Sequence, residues 1–90
     1  MLEKIKTLLT EHFTPTHLEV VDDSHRHRNH QGAKEHGGGH FNVLIVSSKF
    51  EGLKSVLRHR LVNVAMKADF ENHKIHALTI KAYTPDEWKN

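Results

Sequence analysis

Five of the ten histidines, His25, His27, His30, His36 and His40, fall in one stretch, DDSHRHRNHQGAKEHGGGHF, from Asp22 to Phe41. Imidazole titrates near neutral pH and is the commonest protein metal ligand, so this stretch is equipped for metal or proton chemistry. The alternative is a solvated tether that binds nothing. The middle of the stretch is polar and holds four glycines, whereas its two ends are rich in β-formers. It therefore reads as a long loop, residues 24–40, between two strands. Loops longer than about 12–15 residues in a small domain are usually functional or disordered, and residues 26–39 are expected to be the least ordered part of the chain. The His-x-His pair at His25 and His27 also suits adventitious Zn²⁺, Ni²⁺ or Cu²⁺. No cysteine is present, so any metal this chain holds must be met by imidazole, carboxylate or a partner's sulfur.

The elements around the loop must position it. Leu2, Ile5, Leu8, Leu9 and Phe13 recur at three- and four-residue spacing and predict an amphipathic helix over residues 1–13, ended by Thr14-Pro15. His17–Ser24 is the first predicted strand, with Leu18 and Val20 on one face and Glu19 and Val21 on the other. Phe41–Ser48 is the second, apolar on both faces and so more central. Strands adjacent in sequence usually pair antiparallel. Leu53, Val56, Leu57, Leu61, Val64, Ala65 and Ala68 keep helical spacing and predict two helices, bent at Arg58-His59-Arg60, with Leu57 in the core. Asn72-His73 is a turn. Ile75–Tyr83 is the third strand, with His76, Leu78 and Ile80 on one face and Ile75, Ala77 and Thr79 on the other. Thr84-Pro85-Asp86-Glu87-Trp88 has an N-cap residue, proline at the first helical position and acids in the first turn.

The predicted fold is α/β (α+β): one domain over residues 1–90, in the order α-β-β-α-α-β-α. Its three-stranded mixed sheet carries helices on one face. The second and third strands are joined by a helical crossover and run parallel. No apolar run approaches about 18 residues, so no membrane span is predicted. The start, with acids at Glu3 and Glu11, reads as a domain helix and lacks the apolar region of a signal peptide, which points to the cytoplasm. A net charge of +2 permits nucleic-acid contact without demanding it. Catalytic triads, nucleotide-binding loops and paired carboxylates are not recognisable, so the chain is not read as an enzyme.

Several segments together resemble the BolA family over nearly the whole chain. They are Asp23-Ser24-His25-Arg26-His27, His40-Phe41, Phe50-x-Gly52, Arg58-His59-Arg60-x-Val62, Ile75-His76-Ala77-Leu78 and Thr84-Pro85-x-Glu87-Trp88. The resemblance implies a fold similar to class II KH domains, although the GxxG of nucleic-acid-binding KH domains is missing. It also implies a monothiol glutaredoxin partner and a bridging [2Fe–2S] cluster, with the remaining ligands from the glutaredoxin cysteine and glutathione. The family divides by its loop ligand, and a chain without cysteine resembles the histidine branch. His76 falls at the family's ligand position. The second ligand is expected among His27, His40 and His25, in that order of preference. Some members are described as transcriptional regulators. A DNA-binding reading would use the basic helix with Arg58, Arg60 and Lys54, whose bland alternative is a solvated helix face with arginine stems packed on the sheet. The isolated chain is expected to be a monomer or weak homodimer.

Overall fold

The computed structural model describes residues 1–23 and 39–89. Helix α1 (Leu2–Phe13) buries Ile5, Leu9 and Phe13, one residue per turn on a single face. It stops at Thr14, which adopts the left-handed conformation (φ 40°) and returns its N–H to the Thr10 carbonyl at 2.9 Å. Strands β1 (His17–Asp22), β2 (Gly39–Val46) and β3 (Ile75–Tyr83) form one sheet in the order β1-β2-β3. β1 pairs antiparallel with β2, and β3 runs parallel to it, as the crossover requires. After β2 come a short 3₁₀ turn (Ser48–Phe50), helix α2 (Ser55–Ala65) and helix α3 (Lys67–Glu71). Helix α4 (Pro85–Trp88) closes the described chain. Thr84 and Glu87 cap α4 reciprocally, with proline at its start, so this sequence signal carried through to the structure.

One core joins the layers. Ile5, Leu9 and Phe13 of α1 meet Val20, Phe41, Val43, Ile45 and Ile80 of the sheet, with Phe50, Val62 and Met66 from the crossover. Leu18 and Leu78 pack against them. The hydroxyl of fully buried Ser47 donates to the Phe13 carbonyl at 2.7 Å and fixes the end of α1 to the end of β2. Gly52 sits at φ 78°, the left-handed turn that leads into α2 and that a side chain would strain. Among the described residues no helix is long and apolar enough to cross a membrane.

Three sequence expectations are corrected. Helix α2 runs unbroken through Arg58-His59-Arg60, and the break falls at Met66, whose fully buried side chain anchors the junction with α3. The phase of α2 also differs. Val62 is the residue it buries, whereas Leu57 is 40% exposed. Leu57→Ala is therefore expected to cost less than about 1 kcal/mol in urea unfolding, far from a core truncation. In β3 the start of the strand changes face. Ile75 is buried and His76 exposed, because a one-residue register shift intervenes: Gly39 pairs with Ile75, but His40 pairs with Ala77.

Candidate functional site

That register shift makes His76 the extra residue of a β-bulge. Bulges interrupt the alternation of a strand and re-aim the side chain they carry. His76 is consequently exposed at the start of the outer strand, although its neighbours Ile75 and Ile80 are buried. Opposite it lies His40. The sequence places His40 in the loop, but β2 already begins at Gly39. His40 is therefore a strand residue, held by pairing with Ala77 on one side and by the Asp23 N–H, which donates to its carbonyl at 2.7 Å, on the other. Its Nε2 is buried. The ring centres of His40 and His76 stand 4.9 Å apart, inclined at 43°.

This separation has chemical content. Two imidazoles bound through nitrogen to one tetrahedral ion, at metal–nitrogen distances of about 2.0–2.1 Å, have ring centres roughly 5 Å apart. The pair is thus spaced for two ligands on one ion, and both rings are mounted on backbone that the sheet holds. Among the described residues no group of three histidines, cysteines or carboxylates gathers to complete a metal site. Of the ligand candidates, the structure brings His76 and His40 together. His25 and His27, with His30, His36 and the expected disorder of the loop, lie outside the described residues.

The basic candidates separate. Arg58 is turned inward, with a side chain only 11% exposed. Its Nε donates to the Leu53 carbonyl at 2.8 Å, and Nη1 donates to the Ala82 carbonyl at 3.0 Å. A two-pronged contact to Glu87 completes the set, Nη1 to Oε1 at 2.6 Å and Nη2 to Oε2 at 3.1 Å. This arginine ties α2, β3 and α4 together. Arg60 and Lys54 are exposed and have no ion pair among the described residues. The hydrogen bonds it donates to the Glu87 carboxylate hold the Arg58 guanidinium above its ordinary value. In return, Arg58 and then the Thr84 N–H draw Glu87 down from 4.5 to about 2. A carboxylate with a depressed folded-state pKa stabilises the fold above its unfolded value and stops doing so as the pH falls through the folded one. The stabilisation is therefore complete above about pH 4.5 and disappears between there and about pH 2. The check is the unfolding temperature of wild type against Glu87→Gln across that range: the difference should shrink as the pH falls.

At the opposite end of the sheet, the His17 Nε2 lies 2.6 Å from Glu19, and its ring stacks on Trp88 with centres 5.2 Å apart. Trp88 also meets Tyr83, so it anchors α4 by packing. Sequence reasoning missed the Arg58–Glu87 fork. Its only trace in the sequence was the capping box that fixes Glu87 in place.

A model of the family "BolA-like protein" matches residues 9–87. A BolA-like protein of Dictyostelium discoideum is 44% identical over 96% of this chain and 72% of its own length. A protein of Vibrio cholerae named "DNA-binding transcriptional regulator BolA" is 41% identical over 94% of this chain and 76% of its own. Among solved structures, the BolA domain of SufE1 from Arabidopsis thaliana superposes with a TM-score of 0.83 at 36% identity, covering 96% of this chain and 93% of that one. A Bol-like protein of Babesia bovis gives 0.81 at 36% identity, over 99% of this chain and 90% of the other. The α+β order, the mixed sheet and the matched sequence agree, and the chain belongs to the BolA-like family.

Proposed function

We propose that this chain is a non-enzymatic partner protein that docks a monothiol glutaredoxin and co-ligates a bridging [2Fe–2S] cluster, in cluster trafficking or iron regulation. The observation that carries the reading is the His40–His76 pair, 4.9 Å between ring centres at one end of the sheet. A [2Fe–2S] centre takes four protein-side ligands, and two imidazoles on one iron raise its reduction potential. With no cysteine in the chain, nitrogen is the donor available here, and thiolates come from the glutaredoxin and glutathione. His76 supplies the fixed ligand. His40 is the second by proximity, with His27 and His25 as loop alternatives. The test is co-purification with a monothiol glutaredoxin in the presence of glutathione, read by visible absorption and CD. A coloured one-to-one complex supports the reading, and a colourless complex, or none, overturns it.

A second reading rests on the Vibrio cholerae relative named as a DNA-binding transcriptional regulator. Because Arg58 is occupied internally, the two of the three basic candidates left for phosphate contact are Arg60 and Lys54. Replacing both with Ala should weaken duplex binding and reduce the slope of log affinity against log salt by about 2. An unchanged slope removes this surface from the reading.

A further inference from the structure

Helix α2 turns the wrong side to water. Val56, Leu57, Leu61 and Val64 are 63, 40, 42 and 64% exposed, while Val62, on the opposite side of the helix, is fully buried. At 100° per residue Leu57, Leu61 and Val64 form one stripe with the four-then-three spacing of a helix–helix seam, and Arg60 stands between it and Val56 at its edge. Single exposed aliphatics are ordinary, but a contiguous stripe marks an interaction surface. Val64 stands between two hollows. One, of about 390 Å³, is lined by Val56, His59, Arg60, Asn63, Val64 and Lys67. The other, of about 380 Å³, is lined by His12, Phe13, Lys49, Leu61, Val64 and Ala65. Both linings contain cations and neither contains a carboxylate. Helix α2 itself holds no acid, and exposed Lys54 precedes it.

We propose that this face docks an amphipathic helix of a partner protein whose apolar stripe is edged by carboxylates. The 4-3 seam asks for a helix, and the basic margin of Lys54 and Arg60, extended by Lys49, which donates to the His12 carbonyl, and by Lys67, which reaches Glu71 at 3.9 Å, asks for acids beside it. A second copy of this chain fits poorly, since two such margins would meet with like charge. A DNA duplex fits poorly too, because four aliphatic side chains would be dehydrated against phosphates with no apolar partner. The site uses neither His40 nor His76 and needs no cluster, so its test is independent of the glutaredoxin reading.

The probe is a synthetic helical peptide of about three heptads with leucine at the seam positions and glutamate beside them, compared with its lysine counterpart. Binding to the full chain is read by fluorescence anisotropy and by amide chemical shifts. The glutamate peptide should bind about tenfold or more tighter than the lysine peptide, with shifts concentrated on residues 56–64. The double variant Val56→Ser, Val64→Ser should lose about tenfold in affinity at an unchanged unfolding temperature, since both side chains are exposed. Arg60→Glu should narrow the preference for the acidic peptide. Equal affinity for the two peptides overturns the proposal, as does unchanged binding in the folded double variant. A free-chain dimer in sedimentation that the double variant abolishes would give the face to a second copy. Duplex DNA binding lost in the double variant would give it to nucleic acid. Either result overturns the acidic-helix assignment.

Discussion

His76→Ala is expected to strip the reconstituted glutaredoxin complex of its visible absorption and CD while the free chain keeps its far-UV CD and unfolding temperature. The two halves follow from one geometry. His76 is exposed and sits in a bulge, so its side chain contributes little to the core. It faces His40 at 4.9 Å, so its loss leaves one imidazole where two ligands are proposed. His40→Ala should reduce the cluster signal as well, and its half-buried ring predicts some loss of stability besides. His27→Ala and His25→Ala report on the loop alternatives: a full signal in the variant lacking both, with loss in His40→Ala, assigns the second ligand to His40. Protonated imidazole does not ligate, so the signal should also decline as the pH is lowered from about 8 to about 5.5. A His76→Ala complex with the wild-type spectrum would end the proposal.

The second large effect is thermodynamic. Arg58→Ala should destabilise the fold by roughly 2–4 kcal/mol, because the Leu53 and Ala82 carbonyls each lose a charged donor; the exposed carboxylate of Glu87 adds little. Arg60→Ala, two residues away, should change stability by less than about 0.5 kcal/mol. Arg58→Lys should recover only a fraction, since one ammonium cannot match a guanidinium that reaches two carbonyls and a carboxylate at once. Urea unfolding of the three variants decides the matter. Equal, small effects at both arginines would show that the interior contacts of Arg58 carry no stability. The result also governs nucleic-acid experiments, in which loss of binding in Arg58 variants would report unfolding rather than lost phosphate contact.

The sequence made the elements legible where local rules acted alone. Alternation in β1, the dense apolar run of β2 and the spacing of α1 each had one reading, and the crossover settled the parallel pairing. It misled where tertiary packing chose between faces. Helix α2 carries aliphatic residues on both of its sides, so periodicity did not distinguish Val62, which enters the core, from Leu57, which does not. The bulge was equally hidden, because an extra residue in a strand leaves the list of residue types unchanged and shifts only their phase. At the candidate site, the family pattern singled out His76, while the advance of β2 to Gly39, which turns His40 from a loop residue into a strand residue, depends on backbone pairing that no local signal announces. Arg58 and Arg60 look alike in sequence. Only the position of Glu87 and the Ala82 carbonyl separates them.

β3 is an outer strand, and outer strands are templates for unwanted pairing with other chains. A straight nine-residue strand would offer a long row of amides and carbonyls for self-assembly. Here the bulge at His76 breaks the regularity near its start, and Arg58 occupies the Ala82 carbonyl near its end. The two residues with the largest expected effects thus also interrupt the free edge of the sheet. Deleting His76 to straighten the strand would do more than remove a proposed ligand: it would leave an even edge of the kind that seeds aggregation.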